Sequence, residues 1–373
     1  MPQVLVCFGG PSPEHDISIL TGLQAARLLA DSGQDVAGLH WTKAGAFQLV
    51  PAVLEASDFL QPEVKGATPV RLLAGADGGF VEEGRRGKLG KPVEVGVLLN
   101  CCHGGPGEDG TLQAVLDVTG IRHAGPSAIG AALGMDKLAA TALARRLGVP
   151  VNDQQSLTTA AFEHPGPFVV KPRWGGSSIG IEVVGDLDTA RQLAQSSVHL
   201  KRGAVIEPYL VDADGAPWRD LNVAVRVHPD LEISPIERPL REGAGIYDYK
   251  AKYIAESGSG LEHAPRELPA SVPAPVADTI DDAVRALVPV LDVRGIARFD
   301  FLWDGGERVL FNEVNTIPGA LSLYLWAAAG HDRAVVVSDL VREAQQPAPA
   351  RWTSAGADGL ALRSAGEIAA KLG

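Results

Sequence analysis

Three side chains that could bind a metal ion stand close together near the end of the chain. Asp300 lies in the alternating run 297–303, and Glu313 and Asn315 lie in the run 308–315. The Asp-Gly-Gly break between these runs predicts two antiparallel strands joined by a turn. Residues two apart on a strand point to one face, and carboxylate and amide oxygens suit a hard cation such as Mg²⁺. The large apolar residues of both runs indicate a buried hairpin, where an unpaired carboxylate is unfavourable, so we expect a metal or a basic partner such as Arg298.

A lysine followed by a glycine- and serine-rich loop could bind phosphate. Lys171 ends the apolar run 167–170, and the loop 175–180, which contains Ser177 and Ser178, leads into a strand. Backbone N–H groups and hydroxyls in such a loop can bind phosphate oxygens. The pattern is not G-x-x-x-x-G-K-[ST], because the lysine comes first and no helix follows. Taken alone, it also fits a plain hairpin with a glycine-rich turn.

The elements that must position these residues begin with an alternation of strands and helices. Apolar runs at 4–8, 36–40 and 93–100 predict buried parallel strands, and a helix is expected over 17–29. Glu14 then lies at the carboxyl end of the first strand, where α/β sheets bind ligands. From this window alone, a carboxylate that complements the start of a helix is the simpler interpretation of Glu14.

Two weaker motifs follow the strand at 93–100. Residues 105–110 match G-x-G-x-x-G between a strand and a helix, a pattern that is typical of dinucleotide-binding sites. Pro106 and the acidic pair at 108–109 would crowd a pyrophosphate, so the match is poor. A zinc site is conceivable at Cys101, Cys102 and His103, because these residue types bind zinc. Adjacent ligands without a second cluster are nevertheless a weak signal. Core thiols beside an edge histidine are the preferred interpretation.

Two later features suggest further domains. A helix predicted from Gly134 to Leu147, closed by Gly148 and Pro150, precedes a change in composition. Residues 239–260 carry several glycines, tyrosines and lysines without a clear period, as functional lids often do.

Composition limits the classes of function. The 373 residues suggest two or three domains, and 46% hydrophobic residues are enough for a core. A net charge of -12 argues against a general nucleic-acid or anionic-membrane binder. We expect no membrane span and no signal peptide. The odd number of cysteines, three, favours reduced thiols and a cytoplasmic location.

Seven motifs in one order resemble the D-alanine–D-alanine ligase family of ATP-grasp enzymes over about residues 4–343. They are Gly9-Gly10-x-Ser12-x-Glu14-His15-x-Ile17-Ser18, His103-Gly-x-x-Gly-Glu-Asp-Gly-Thr-Leu-Gln113, Met135-Asp136-Lys137, Val170-Lys171-Pro172 with Gly176-Ser177-Ser178-Ile179-Gly180, Tyr247-Asp248-Tyr249-x-Ala-Lys252-Tyr253, Arg298-x-Asp300, and Glu313-x-Asn315-Thr-x-Pro-Gly319. Each motif is weak alone, and together they are specific. The match at 105–110 is then part of the second motif.

This resemblance implies an α/β (α+β) fold, with a Rossmann-like N-terminal domain followed by a two-part ATP-grasp fold. The expected domains are 1–134, a central ATP-grasp subdomain at 135–210, a C-terminal subdomain at 211–345 with a lid at about 240–260, and a peripheral tail at 346–373. It also implies small amino-acid substrates, no nucleic-acid or membrane partner, and a homodimer.

The resemblance implies a role for each matching residue. ATP would be bound by Lys137, Lys171, Ser177, Ser178, Glu207, Asp220, Lys252 and Asn312. Two Mg²⁺ ions, with Mn²⁺ as an alternative, would be bound by Asp300, Glu313 and Asn315. Glu14, Ser177 and Tyr253 would hold the ammonium of the first amino acid, Arg298 and the Gly319 N–H would stabilise an oxyanion, and His103 would line the substrate site.

The implied reaction proceeds through an acyl phosphate. A carboxylate attacks the γ-phosphate of ATP, and the amine of a second amino acid then attacks the acyl carbon. A closed lid would keep water from the intermediate.

The sequence departs from the family pattern around the second substrate. The family usually has a serine after Pro-Gly that receives that substrate's carboxylate; an ungapped alignment puts Tyr324 there, and a two-residue deletion puts Ser322 there. Besides a D-alanine–D-alanine ligase, a ligase of the same mechanism with another acceptor, for instance in antibiotic biosynthesis, therefore stays open. A nicotinamide-dependent oxidoreductase and a non-catalytic relative are more distant alternatives.

Overall fold

The computed structural model describes residues 3–75, 78–240, 265–348, 352–365 and 368. Their strands are β1 (Val4–Gly9), β2 (Val36–Trp41), β3 (Phe47–Pro51), β4 (Thr68–Leu73), β5 (Gly79–Glu83), β6 (Leu89–Pro92), β7 (Val97–Asn100), β8 (His123–Ala124), β9 (Gln155–Ser156), β10 (Phe168–Pro172), β11 (Glu182–Val184), β12 (Ala204–Pro208), β13 (Arg219–Arg226), β14 (Glu232–Ile233), β15 (Arg238–Pro239), β16 (Arg266–Glu267), β17 (Ile296–Trp303) and β18 (Val309–Asn315). Their α-helices are α1 (His15–Asp31), α2 (Gly105–Glu108), α3 (Thr111–Thr119), α4 (Ala128–Met135), α5 (Lys137–Arg146), α6 (Leu187–Ser196), α7 (Ala274–Val290), α8 (Leu323–Ala328), α9 (Arg333–Gln345) and α10 (Leu360–Ala365).

The N-terminal sheet has eight strands in the order β6-β5-β4-β3-β2-β1-β7-β8. Strands β2, β1, β7 and β8 are parallel, which confirms the predicted parallel core, and the remaining strands extend it in antiparallel fashion. All six residues of β1 are buried, as expected for a strand covered on both faces. Helix α1 packs closely on β1, since a Cβ at Gly22 would lie 2.4 Å from Phe8.

Two four-stranded sheets follow among the described residues, besides the two-stranded sheet β15-β16. One is antiparallel, in the order β11-β10-β12-β9, and includes the strand that ends in Lys171. The other has the order β14-β13-β17-β18. It contains the hairpin that carries Asp300, Glu313 and Asn315, and the prediction of this hairpin is confirmed. The buried face of α7 packs against this third sheet.

The helix predicted from Gly134 to Leu147 is wrong in one respect: two helices meet there. Helix α4 ends at Met135 and α5 begins at Lys137, with Asp136 in an extended conformation between them. The Asp136 carboxylate accepts hydrogen bonds from the N–H groups of Leu138 and Ala139, so it caps α5. From the sequence, Asp136 was interpreted as part of one continuous helix. The boundary between α4 and α5 was therefore missed.

The described helices include none that could span a membrane. In the tail, α10 covers Leu360–Ala365, and of the residues after it only 368 is described.

Candidate active site

One large cleft gathers most of the predicted site residues. Its walls come from the loop before α1, the second sheet and the third sheet. The predicted residues that line it are Glu14, His103, Lys171, Ser177, Ser178, Glu207, Asp220, Arg298, Asp300, Asn312, Glu313, Asn315, Gly319 and Tyr324. Lys137 and Ser322 do not line it, and Lys252, Tyr253 and nearly all of the predicted lid lie outside the described residues.

The predicted metal-binding residues share one face of the β17–β18 hairpin. Asp300 is paired in register with Glu313, and Arg298 with Asn315. The Arg298 guanidinium donates two hydrogen bonds of 2.7 Å to Asp300, which is the basic partner that burial of the carboxylate led us to expect. Burial opposes the charge on Arg298, but the charge and hydrogen bonds of Asp300 outweigh it and hold the pKa of the guanidinium above its usual range. Asn315 Nδ2 also donates to Asp300 at 3.0 Å.

These residues fit a magnesium site by the chemistry of their donors. Asp300 and Glu313 place two carboxylates opposite each other on the wall of the cleft, and the amide of Asn315 adds an oxygen when it is turned. Lys137 Nζ lies 3.0 Å from Glu313, so cations neutralise both carboxylates. No cluster of three or more His, Cys, Asp or Glu side chains suited to a metal occurs among the described residues, including those at Cys101, Cys102 and His103.

A buried ion pair marks another wall of the cleft. Lys171 Nζ donates to Glu207 at 2.8 Å and to Asn312 at 3.0 Å, and Gln154 donates to the other Glu207 oxygen at 2.9 Å. Lys171 and Glu207 are both nearly inaccessible. The hydrogen bond from Lys171 to Asn312 therefore joins β10 to β18. It brings Lys171 close to the hairpin that carries Asp300 and Glu313.

The loop 175–180 lies over this wall with unusual backbone geometry. Ser177 and Ser178 have φ values of 52° and 58°, a left-handed conformation that is unfavourable for residues with a Cβ. Lys137 Nζ donates to the Gly175 carbonyl at 2.5 Å and thereby ties α5 to the loop. Lys137 thus contacts the loop from α5, while Lys171 lies in β10, the strand that precedes the loop.

Glu14 does not act as a helix cap. Although it stands at the N-cap position of α1, its side chain makes no capping hydrogen bond within the described residues. Instead the Ser177 hydroxyl donates to the Glu14 carboxylate. Gly104 has φ 64°, and a Cβ there would lie 2.4 Å from the same carboxylate, so the glycine leaves room for it. Glu14 thus stands at the start of α1, as the sequence suggested, but its carboxylate bonds to the loop 175–180 and does not cap the helix.

His103 is buried and bonded to the protein. Its Nε2 lies 2.8 Å from Thr21 Oγ1, which also accepts the N–H of Ala320. Burial lowers the pKa of His103 to about 4, so the imidazole is neutral near pH 7. Thr21 thereby connects both α1 and His103 to the segment that follows Gly319.

Glu108 lines the cleft and was missed from the sequence, where it was interpreted only as crowding a pyrophosphate. Its carboxyl accepts the N–H groups of Gly104 at 2.7 Å and Ile317 at 3.0 Å. Burial, and then the charge of Glu14, raise the pKa of Glu108 to about 8. The sequence signal for this residue was an acidic side chain within the motif at 105–110. Its hydrogen bonds to backbone N–H groups explain why the loop folds around the Glu108 carboxyl.

The segment after Gly319 has three consecutive residues in the left-handed region, Ala320, Leu321 and Ser322, with φ between 49° and 51°. This turn buries Ser322 completely, and its hydroxyl has no hydrogen-bond partner among the described residues. Tyr324 instead faces the cleft, and its hydroxyl donates to Glu237 at 2.8 Å. Of the two candidate residues, Tyr324 lines the cleft and Ser322 does not.

Comparison with known proteins agrees with the motifs. The family model described as D-ala D-ala ligase C-terminus matches residues 133–343, more than half of the chain, and the model described as D-ala D-ala ligase N-terminus matches residues 3–126. The chain belongs to the D-alanine–D-alanine ligase family. As a member, it is an enzyme, an ATP-dependent carboxylate–amine ligase.

Relatives and solved structures of this ligase family match along nearly the whole chain. The D-alanine–D-alanine ligase of Mycolicibacterium vanbaalenii is 32% identical and covers 92% of this chain and 96% of its own length. That of Kineococcus radiotolerans is 34% identical, with 91% and 96% covered. The crystal structure of D-alanine–D-alanine ligase from Helicobacter pylori has a TM-score of 0.67 at 24% identity, covering 92% and 98%. The VanG D-Ala:D-Ser ligase from Enterococcus faecalis has a TM-score of 0.73 at 22% identity, covering 92% and 99%. At these identities the two structures support the fold alone.

Proposed function

We propose that this ligase joins two molecules of D-alanine with consumption of one ATP, and that the cleft described above is its active site. The observation that carries the proposal is that Glu14, Lys171 and the Asp300–Glu313 pair, which come from three different sheets and their loops, line one cleft. Full-length relatives at 32–34% identity that bear this name support the substrate. They give no support to a nicotinamide oxidoreductase or to a different acceptor.

We assign the first D-alanine to the end of the cleft at Glu14. The Glu14 carboxylate, held by Ser177, would bind the ammonium group and so direct the carboxylate of the amino acid toward the loop 175–180. Because Ser177 belongs to that loop, the same backbone would position the first substrate and cover the phosphates of ATP.

The γ-phosphate of ATP would lie between Lys171 and the β17–β18 hairpin. The substrate carboxylate oxygen attacks phosphorus, the bond from phosphorus to the β,γ-bridging oxygen breaks, and ADP leaves. Lys137 and Lys171 would place positive charge beside the transferring group. Asp300, Glu313 and Asn315 would hold magnesium, which when bound supplies charge neutralisation on the phosphates.

Peptide-bond formation would follow at Arg298 and Gly319. The amine of the second D-alanine attacks the acyl carbon, an oxyanion forms, and phosphate leaves with its oxygen as the amine loses a proton. Arg298, fixed by Asp300, and the N–H of Gly319 would donate to that oxyanion, and both residues line the cleft. Preorganised donors of this kind contribute about 3–4 kcal/mol each in a water-excluded site.

The proposed domains are a Rossmann-like unit at 1–134, two ATP-grasp subdomains at 135–210 and 211–345, and a tail at 346–373. The parallel core β2-β1-β7-β8 and the limits of the two family matches support the first boundary. A homodimer and a cytoplasmic location stay predictions.

The test is phosphate release from ATP in the presence of Mg²⁺, measured for single D- and L-amino acids and for pairs, with mass detection of the products. We expect release with D-alanine alone and the mass of D-alanyl-D-alanine. Turnover with another pair and none with D-alanine would contradict the proposed substrate.

A further inference from the structure

The acceptor end of the cleft has a network of side chains that sequence reasoning did not identify. Glu237, which is 3% exposed, accepts hydrogen bonds from Arg266 at 2.9 Å, from Asn222 at 3.1 Å and from the Tyr324 hydroxyl at 2.8 Å. The Arg266 guanidinium carbon also lies 4.2 Å from the centre of the Tyr324 ring. All four side chains line the cleft. The floor of the cleft at this end is therefore formed by side chains that are hydrogen-bonded to one another.

The Tyr324 phenol is a fixed part of this floor. Burial, and then the charge of Glu237, raise the pKa of Tyr324 above its usual value, so the hydroxyl stays protonated and donates to Glu237. A phenol committed to a buried carboxylate replaces the small hydroxyl that the family usually presents to the second substrate. Another group must then bind the carboxylate of that substrate.

Positive charge at this end comes from two described guanidinium groups, Arg298 and Arg266. Arg298 is held on Asp300 by two hydrogen bonds of 2.7 Å and is already assigned to the oxyanion in the proposed reaction. Arg266 stands next to Tyr324, and its planar group presents donors in a fork that matches a carboxylate. Lys137, which donates to the Gly175 carbonyl, and Lys171, which donates to Asn312, belong to the other end of the cleft, proposed for the phosphates.

Glu237 does not oppose this role. Its two oxygens receive three donors, from Arg266, Asn222 and Tyr324, so its negative charge is compensated on the floor of the cleft. The same contacts fix the orientation of the Arg266 guanidinium. Arg266 lies on β16, and its partner Glu237 directly precedes β15. Preorganisation of this kind reduces the conformational entropy lost when a ligand binds.

We infer that Arg266, held by Glu237 and stacked on Tyr324, binds the carboxylate of the acceptor amino acid in this chain. This inference rests on the proposed function and adds to it a requirement on the second substrate: it must carry a carboxylate next to its amine. The Tyr324 ring, larger than the serine it replaces, limits that substrate to a small side chain.

The first test uses the unaltered enzyme. It is given ATP, Mg²⁺, D-alanine as the only donor, and equal concentrations of D-alanine and D-alaninamide as competing acceptors. D-Alaninamide has the same amine and side chain but no carboxylate. We expect the free dipeptide to exceed the dipeptide amide by about 10- to 100-fold, since a hydrogen-bonded charge is lost with the amide. Equal yields of the two products would overturn the inference, whatever the stability of any variant.

The second test separates the acceptor site from donor activation. Hydroxylamine, which has no carboxylate, intercepts an acyl phosphate and gives D-alanine hydroxamate and phosphate. In Arg266→Gln we expect hydroxamate formation within about twofold of the parent enzyme, and dipeptide formation reduced about 10-fold or more through a higher KM for the acceptor. Arg266→Lys, which retains the charge, should recover part of the loss.

Arg238→Gln is the matched control. Arg238 is the neighbouring arginine on β15, is partly exposed, and pairs with Glu267 rather than with a residue of the cleft. We expect it to leave both reactions unchanged. If Arg266→Gln lowers hydroxamate and dipeptide equally, or lowers neither, Arg266 does not bind the acceptor. Failure of the parent enzyme to form either product would instead contradict the proposed function.

Discussion

Ser177 donates a hydrogen bond to Glu14 across 163 positions of sequence, and this contact joins the loop before α1 to the loop over the phosphate-binding wall. We predict that the two side chains act as a unit on the first substrate. Glu14→Gln and Ser177→Ala should each raise the KM for donor D-alanine about 10-fold. In the double variant, the increase in KM should be smaller than the product of the two single increases. The coupling, about 1 kcal/mol, is measured by a double-mutant cycle. Fully multiplicative effects would show that the contact has no role in binding.

Glu313 tests the metal-binding face. Glu313→Gln should lower ATP turnover about 100-fold or more while the far-ultraviolet circular dichroism spectrum stays unchanged, because one metal-binding carboxylate is replaced by a neutral amide of the same shape. Glu307→Gln, on the exposed turn of the same hairpin, is the control and should retain activity. Undiminished turnover in Glu313→Gln would remove this residue from the proposed metal site.

The buried pair of Lys171 and Glu207 predicts an effect on stability as well as on ATP binding. Lys171→Met leaves Glu207 buried without its cation, which should reduce the free energy of unfolding by about 3–5 kcal/mol. Adding Glu207→Gln should restore part of that stability without restoring ATP affinity. Urea denaturation and ATP titration measure the two quantities separately. Equal stability of the parent and Lys171→Met would show that the pair contributes little to the fold.

His40 predicts how stability depends on pH. Burial, and then the charge of His15, lower the pKa of His40 to about 4, against a smaller opposing effect of Gln48. The unfolded chain, with a pKa near 6.5, takes up the proton first as the pH falls. The stabilising contribution is therefore complete above about pH 6.5 and is lost as the pH falls toward 4.

His40→Phe should consequently lose less stability than the parent protein between pH 7 and pH 5, by about 1–2 kcal/mol in urea unfolding. His199→Phe, at an exposed position, should behave like the parent. An identical loss in His40→Phe and the parent would show that His40 is not titrated on unfolding.

The sequence was sufficient to place Asp300, Glu313 and Arg298 together, because strand alternation and one turn determine which of their side chains share a face. The motif order supplied Glu14 and Lys171, but their hydrogen bonds to Ser177 and Asn312 span long stretches of chain and leave no local pattern.

Other features could not be predicted from sequence patterns. The choice between Ser322 and Tyr324 depends on three consecutive left-handed residues without a glycine, which propensity argues against. Arg266 and Glu237 are ordinary surface residue types, and their role follows only from the pairing of two short strands, β15 and β16. Tertiary contacts, rather than local signals, thus shape the acceptor end.

Transfer of oxygen from the substrate carboxylate into phosphate is the most direct test of the proposed reaction. The enzyme is incubated with ATP, Mg²⁺ and D-alanine labelled with ¹⁸O in its carboxylate, and the products are analysed by mass spectrometry. Attack of the carboxylate on the γ-phosphate predicts D-alanyl-D-alanine, ADP, and inorganic phosphate that carries one ¹⁸O atom per molecule. Unlabelled phosphate, or release of AMP and pyrophosphate, would contradict the proposed reaction.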